Sequence, residues 1–355
     1  MRAIFLLLAT CLMLYTAGAA ADEFHELYRG ARAQAMGNAY VGLADDEQAI
    51  FLNPAGLAGN KSYSLHYMIS DTDFSTDVLT AAIGGINMMK NLSGDSLNVI
   101  MGKNVYGREQ LSPTFIMPNF GMAVLVDAQT ALLAKNQALP HITIGYQITN
   151  GFQLGWATSI GSRRRRDSDF RIGIGAKMLW RRGGYRVLTL NQLLTLSSST
   201  LAEITGDYGR GYGVDLGSQW LKKINPHLFM SVGMALTDIG NTAFDGNADP
   251  QTSNMSTGLA LTYKLPGLST TFAYDYKHML DSGDWKKKNH AGLEVALPFI
   301  SVYGGMNQAY FTYGFSLDIW LFRLTALSYA EEQGAYALQD PERRYLLRLA
   351  LKVGL

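Results

Sequence analysis

The chain reads as all-β: a transmembrane antiparallel β-barrel of about 14 strands, with 12 to 16 open, since bacterial barrels take even strand numbers. Three observations lead there. A two-residue hydrophobic period recurs along most of the 355 residues. An export signal stands in front of it. The connections between strands sort by parity into long and short. Residues Phe170 to Arg181 show the period plainly. Phe170, Ile172, Ile174, Ala176, Met178 and Trp180 share one face, against Arg171, Gly173, Gly175, Lys177, Leu179 and Arg181. A strand sends alternate side chains to opposite faces, so one face is oily and the other small or charged.

The N-terminus reads as a secretory signal. Arg2 is followed by an apolar run from Ala3 to Tyr15 and the small residues Ala17 to Ala21. These are an n-region, an h-region and an A-x-A-like site, with cleavage expected after Ala21. The run is too short for a membrane helix. Thr10 before Cys11 makes a poor lipidation signal. Cys11 is the only cysteine, so the chain from Asp22 onward has neither disulfides nor thiol chemistry. The whole chain carries 30 basic and 29 acidic residues, and removing residues 1–21 takes away Arg2 alone and balances them. Nothing in that balance points to nucleic acid.

Composition supports a single barrel. Glycine is abundant at 37 and proline scarce at 9, and no Pro/Ser-rich linker divides the chain. No apolar stretch after the signal approaches the roughly 20 residues of a spanning helix. A membrane would therefore be crossed by strands, which for an exported chain implies a Gram-negative outer membrane. The expected division is a signal peptide at 1–21, an N-terminal hatch at 22–60 and a barrel at 61–355.

The segment from Arg29 to Ala58 is not strand-like. It is rich in Ala and Gly, with an acidic patch that can open a short helix. Asn53-Pro54 ends it, because the residue before proline avoids helical geometry and proline lacks an amide proton. Small residues let its turns pack closely, as a luminal plug requires. Gly30-Ala31-Arg32-Ala33, Met36-Gly37, Ala39-Tyr40-Val41, Leu43-Ala44-Asp45-Asp46 and Asn53-Pro54-Ala55-Gly56-Leu57 together resemble the hatch of the long-chain fatty acid transporter (FadL-like) family, closest to its uncharacterised and secretion-associated branch. Ala35 and Gly42 depart from that pattern. The resemblance implies a 14-stranded barrel with a luminal hatch, and a role in moving or holding hydrophobic molecules. It marks Gly30, Arg32, Gly37, Asp45, Asp46, Asn53, Pro54 and Ala55 as hatch-motif residues, with the Asn53-Pro54-Ala55 turn a structural element rather than a ligand contact. The rest of the chain matches only as a strand pattern, and the ligand does not transfer.

Strand expectations follow at 62–70, 77–85, 112–118, 120–129, 139–149, 151–161, 169–181, 211–221, 227–237, 254–264, 269–278, 288–297, 299–306, 309–319, 322–331 and 343–355, of which 77–85, 112–118 and 299–306 are the weakest. Counting back from the C-terminal strand puts the long connections 332–342, 279–287, 238–253 and 182–210 outside. The short ones, 320–321, 298, 265–268 and 222–226, fall on the periplasmic side, as barrels require. Trp156, Trp180, Trp220, Tyr263, Tyr303, Tyr310 and Tyr329 recur near strand ends and suggest interfacial girdles. Residues 93–103 and 190–204 look helical.

Candidate chemistry is thin. His25, His66, His141, His227, His278 and His290 form no metal-ligand spacing. No G-x-S-x-G or Ser/His pairing points to an enzyme. Asp245 to Asp249 opens like a calcium loop, but Pro250 and Ser256 stand where a glycine and a bidentate glutamate belong, so a polar turn is expected. Arg163-Arg164-Arg165-Arg166 falls on the periplasmic rim and suits lipid phosphate. Seven inward glycines, Gly173, Gly175, Gly213, Gly217, Gly233, Gly258 and Gly314, leave room for a hatch, a ligand or a packed lumen. Two functions stay open. One is an outer-membrane barrel that binds or passes hydrophobic small molecules, fatty acid or lipid-like. The other is a non-transporting, oligomeric barrel that holds lipid or presents an exported partner protein. Neither needs a cofactor or a metal, and outer-membrane lipids are the expected surroundings.

Overall fold

A computed structural model describes residues 23, 25–78, 104–135, 141–160, 167–189, 206, 208–246 and 248–354. Among them the chain forms fifteen strand segments. These are β1 (Ser64–Ser75), β2 (Asn104–Leu111), β3 (Thr114–Met117), β4 (Phe120–Lys135), β5 (His141–Ser159), β6 (Ser168–Thr189), β7 (Gly209–Lys223) and β8 (Leu228–Thr237). After them come β9 (Asn254–Leu265), β10 (Leu268–Tyr276), β11 (Asn289–Ala296), β12 (Ile300–Asn307), β13 (Tyr310–Ile319), β14 (Phe322–Glu332) and β15 (Pro341–Gly354).

Segments β2 and β3 both pair with β1 and with β4, so they are two halves of one wall strand. Pro113 separates them because it has no amide hydrogen to give the ladder. The break leaves no gap. Ser112 N donates to Ile69 O at 2.9 Å, and Val124 N donates to Pro113 O at 3.0 Å. Counted this way the barrel has 14 strands. It closes where β1 meets β15 antiparallel, from Ser64 opposite Gly354 to Ser75 opposite Arg344, with a bulge between His66 and Met68. Closure removes every sheet edge, which a strand structure in hydrocarbon requires.

Several expected boundaries move. The two runs at 139–149 and 151–161 are one 19-residue strand, β5. Asn150 and Gly151, at the junction of the two runs, stay in ladders with β4 and β6. The first half of the second wall strand, 104–111, carries charge on its inner face and escaped a reading based on apolar period. Residues 79–85 and the helical expectations at 93–103 and 190–204 lie outside the described residues. The sorting of the connections holds with one exception: 118–119, 224–227, 266–267 and 320–321 are tight, 238–253 and 277–288 at the other end are long, but 308–309, also at that end, is a two-residue turn.

The outer face is apolar. Phe152, Leu154 and Trp156 on β5, Tyr212, Val214 and Leu216 on β7, and Phe311, Tyr313 and Phe315 on β13 are all exposed. Their inward neighbours are glycines, amides and charges, so the surface facing out is suited to hydrocarbon and the lumen is polar. Trp156, Trp220 and Tyr263 stand on that outer face as a girdle would. Tyr303 and Tyr329 do not: both are buried and point into the lumen. Strand parity decides this, since Val302 beside Tyr303, and Leu324 at the opposite parity to Tyr329 on β14, hold the outward positions.

Residues 25–60 run inside the barrel. Helix α1 (Ala31–Ala35), helix α2 (Ala49–Leu52) and a 3-10 turn (Pro54–Gly59) are their only regular pieces. Asn53 is extended, at φ −155°, and breaks α2 before Pro54, as the sequence implies. Two apolar clusters wedge the segment against the wall. Ala31, Ala35, Met36 and Ala39 pack on Ala260, Ala273, Leu327 and Leu346. Tyr28, Ile50, Phe51 and Leu57 pack on Ile116, Ala123, Leu125 and Ala157, with Tyr28 and Phe51 stacked at 4.0 Å.

Candidate functional site

The lumen is the candidate site, and the inward glycines explain its shape. A Cβ on Gly173 would stand 2.4 Å from the Pro54 backbone. One on Gly233 would stand 2.2 Å from Val41 O, and one on Gly292 2.2 Å from Met36 O. These distances are far below van der Waals contact, so the wall is bare where the luminal backbone lies against it. Of the three uses the sequence leaves open, a hatch, a ligand or a packed lumen, Gly173 and Gly233 make room for the luminal backbone.

A segment with so little regular structure leaves many peptide groups needing partners. Wall side chains supply them. Asp275 Oδ2 accepts from Tyr40 N and Val41 N, both at 2.6 Å. Gln219 Nε2 donates to Leu43 O at 2.8 Å, and Gln153 Nε2 to Ile50 O at 2.7 Å. Asn53 reaches both ways: its amide donates to Val41 O at 2.9 Å and to Ser218 O at 3.2 Å, and its Oδ1 accepts from Ala55 N at 3.3 Å. Pro54 and Ala55 are fully packed behind it.

Four arginines tie the segment down by charge. Arg32, on α1, grips Glu294 with Nη2 at 2.6 Å and Nε at 3.1 Å. Its Nη1 meets Asp45 at 2.6 Å and Asp46 at 2.9 Å. Gly30 admits the Gln48 side chain, which a Cβ there would hit at 1.8 Å. Gly37 turns at φ +64° against Met306 O. Of the hatch-motif residues, Arg32, Asp45 and Asp46 thus meet in one ion-pair cluster, whereas Gly37 lies against the wall and Asn53–Ala55 form a separate turn. Arg29, outside that motif, donates to Tyr329 Oη at 3.1 Å and pairs with Glu23. From the wall, Arg348 holds Asp71 with two bonds of 2.6 and 2.8 Å, Tyr28 Oη at 3.0 Å and Glu47 at 3.2 Å. Arg344 reaches Glu23 at 2.6 Å. Arg344 and Arg348 sit on the polar face of the last strand, where alternation alone marks them as inward. The sequence carried no signal for their partners, which are about 270 to 320 positions away in the chain.

At the long-loop end, Glu26 meets Lys277 and lies 3.6 Å from His278. Asn38 donates to Glu26 at 3.1 Å and accepts from Lys277 at 2.9 Å. Burial opposes charge on Glu26, but Lys277 and His278 outweigh it and hold its carboxyl well below the ordinary value. Burial likewise opposes charge on His278, and its contacts with Asp281 and Glu26 reverse that and raise it.

Little space remains inside. Beside Glu26, Tyr28, Val41 and Phe51 a cavity of about 50 Å³ is left. A bay of about 210 Å³ opens at the short-turn end, between Leu43, Asp45 and Gly59 and the wall. Arg163–Arg166 lie outside the described residues, although the connection carrying them, 160–167, is on the same end as 118–119 and 224–227. Asp249 does not stand free as a metal ligand: it accepts from Tyr185 N at 2.8 Å and pairs with Arg186 at 3.0 Å, while Asn247 is not among the described residues. Among the described residues no group of three His, Asp or Glu side chains is placed to hold a metal ion.

No protein-family model and no curated protein sequence matches the chain. Solved structures do. The toluene transporter TodX of Pseudomonas putida aligns with a TM-score of 0.50 at 10% identity, over 94% of this chain and 99% of that one. A TodX deltaS2S3 mutant, described as a monoaromatic hydrocarbon channel, gives 0.50 at 11% identity, over 92% and 98%. At such identity the likeness is one of fold. In fold this chain is a 14-strand barrel of the kind seen in the toluene transporter TodX.

Proposed function

We propose that this chain is an exported outer-membrane barrel that admits hydrophobic small molecules, with residues 22–60 as its hatch and residues 1–21 as a cleaved signal. The observation that carries this reading is the mode of anchoring. The luminal segment has no strand in the wall and is held by side chains that can exchange partners. A plug meant only to fill space needs apolar packing, whereas ion pairs such as Arg32–Glu294 and Arg348–Glu47 can part and re-form. The name of the TodX relative supports hydrocarbon cargo, aromatic rather than specifically fatty-acid. The route would run from the long loops, past the hatch, to the short-turn mouth.

Toluene uptake by cells expressing the protein tests this. We expect uptake above that of cells lacking it, and an increase when Arg32 and Arg348 are both replaced by Gln. Uptake equal to the empty control in both cases rejects transport.

A second reading has one specific observation behind it. The cavity beside Glu26 and Phe51, about 50 Å³, is too small for an aromatic hydrocarbon as it stands. A barrel packed this way also suits a non-transporting scaffold that oligomerises, holds lipid or presents an exported protein. A stable oligomer with co-purifying lipid, and no uptake, would favour it.

A further inference from the structure

The bay at the short-turn mouth has a chemistry of its own. Its floor is apolar: Leu43 from the luminal segment faces Leu221 and Phe229 on the inner side of β7 and β8. Its rim is basic. Lys264 Nζ stands 5.6 Å from the centre of the Phe229 ring, and Lys223 Nζ stands 5.9 Å from it. Strand parity places both lysines on the inward face, at the ends of β7 and β9. The acids nearby are already engaged. Asp45, at the bay's edge, shares Arg32 with Asp46 and Glu294, and Asp169 pairs with Arg171 at 2.7 Å. Arg171 also donates to Gln219 at 3.2 Å. Among the described residues neither Lys223 nor Lys264 has a carboxylate partner.

An apolar floor under two uncompensated ammonium groups fits a molecule with a hydrocarbon body and one negative charge. At about 210 Å³ the bay is smaller than the roughly 300–1,000 Å³ that holds a drug-sized ligand. A single ring or a short chain fits, and a phospholipid does not. The bay faces the lumen, so its occupant arrives through water rather than from a leaflet.

We propose that this bay binds a small aromatic or short-chain carboxylate, ring or chain against Leu43, Leu221 and Phe229 and carboxylate between Lys223 and Lys264. The site rests on the reading of the lumen as a path for hydrophobic molecules, and narrows it. Neutral cargo would pass the mouth, whereas its acid analogue would be held there.

Equilibrium binding to the purified full-length protein, in nanodiscs of zwitterionic lipid, separates this from transport. Benzoate is titrated calorimetrically against benzamide, its neutral isostere. We expect benzoate to bind at least tenfold tighter. The double variant Lys223→Gln/Lys264→Gln should lose that preference, and Lys264→Arg should keep it. Inorganic phosphate, which lacks a hydrocarbon body, should compete at least tenfold more weakly than benzoate. Equal affinity for benzoate and benzamide, or unchanged benzoate affinity in the double variant, overturns the site. Phosphate competing as well as benzoate reduces the bay to a plain anion site and overturns the carboxylate assignment. Both lysines are exposed rim residues, and unaltered heat-modifiable gel mobility of the variants confirms the fold. The toluene experiment above can fail while benzoate still binds, so the two readings fail separately.

Discussion

At the level of single residues, the lumen depends on charged pairs whose members are costly to remove one at a time. Arg32 answers three carboxylates at once. Arg32→Ala would leave Glu294 and Asp46 without their cation, and because Arg32 and Asp45 are partly exposed the cost falls below the about 3–5 kcal/mol of a fully buried pair. The loss should be local. We expect faster hydrogen exchange in residues 30–50 and new trypsin cleavage after Arg29, with the wall strands unchanged. Gly233→Leu should release the same segment by a different cause, because its side chain would occupy the place of Val41 O. A variant that stays protected shows that the backbone does not lie there. The contact of Glu26 with His278 makes docking of the segment's outer end depend on pH. His278 is raised above its ordinary value near 6.5. Its contribution is therefore full below that value and is lost as pH rises through the raised one. Glu26 is depressed, so its contribution is present above the ordinary glutamate value and is lost as pH falls through the lowered one. Protection of residues 25–30 should then be greatest in mildly acid solution and weaken on the alkaline side. His278→Gln should flatten the alkaline limb, and an unchanged limb would remove His278 from the account.

At the level of elements, the luminal segment and the wall were legible to different degrees. The alternation in β6, β10, β13 and β15 marks both faces directly, because burial in hydrocarbon outside and in a polar lumen inside imposes a strict period of two. The first part of the second wall strand, 104–111, was not visible. Arg108 and Gln110 face inward and Glu109 outward, so neither side reads as oily. Glu109 is tolerated because Ser70 and Thr72 on β1 donate to it at 2.7 and 2.6 Å. That cross-strand pairing is a tertiary fact. The break at Pro113 lies between two halves that share both neighbours, so an apparent short strand was half of a longer one. Deleting residues 25–60 tests the element as a unit. Arg348, Glu294 and Asp275 would then line an open lumen. We expect large single-channel conductance in planar bilayers from the deletion, against low conductance from the full chain. Equal conductance would mean that the segment does not obstruct the path.

At the level of the whole molecule, the outer belt sets how the barrel sits in lipid. Trp156 and Trp220 lie on the outward face, whereas Trp285 and Trp320 are exposed on connections at opposite ends. Brominated acyl chains should quench the fluorescence of a variant retaining only Trp156 and leave one retaining only Trp285 nearly unquenched. Equal quenching would displace the belt. Which connections share an end was readable in advance because it follows from strand direction alone. The positions of Tyr303 and Tyr329 were misread as interfacial because an aromatic near a strand end looks the same whichever face it occupies. The phase of the alternation, not the residue type, decides it.

The sequence by itself determined the alternating faces, the orientation of the connections and the existence of a compact, small-residue segment ahead of the barrel. Each of these is a local property, set by strand period, turn chemistry and side-chain size. The tertiary structure alone decided what fills the lumen, which glycines admit the luminal backbone and which charges meet. Those depend on closure: only when β1 meets β15 do Asp71 and Arg348, at opposite ends of the chain, come within hydrogen-bonding distance.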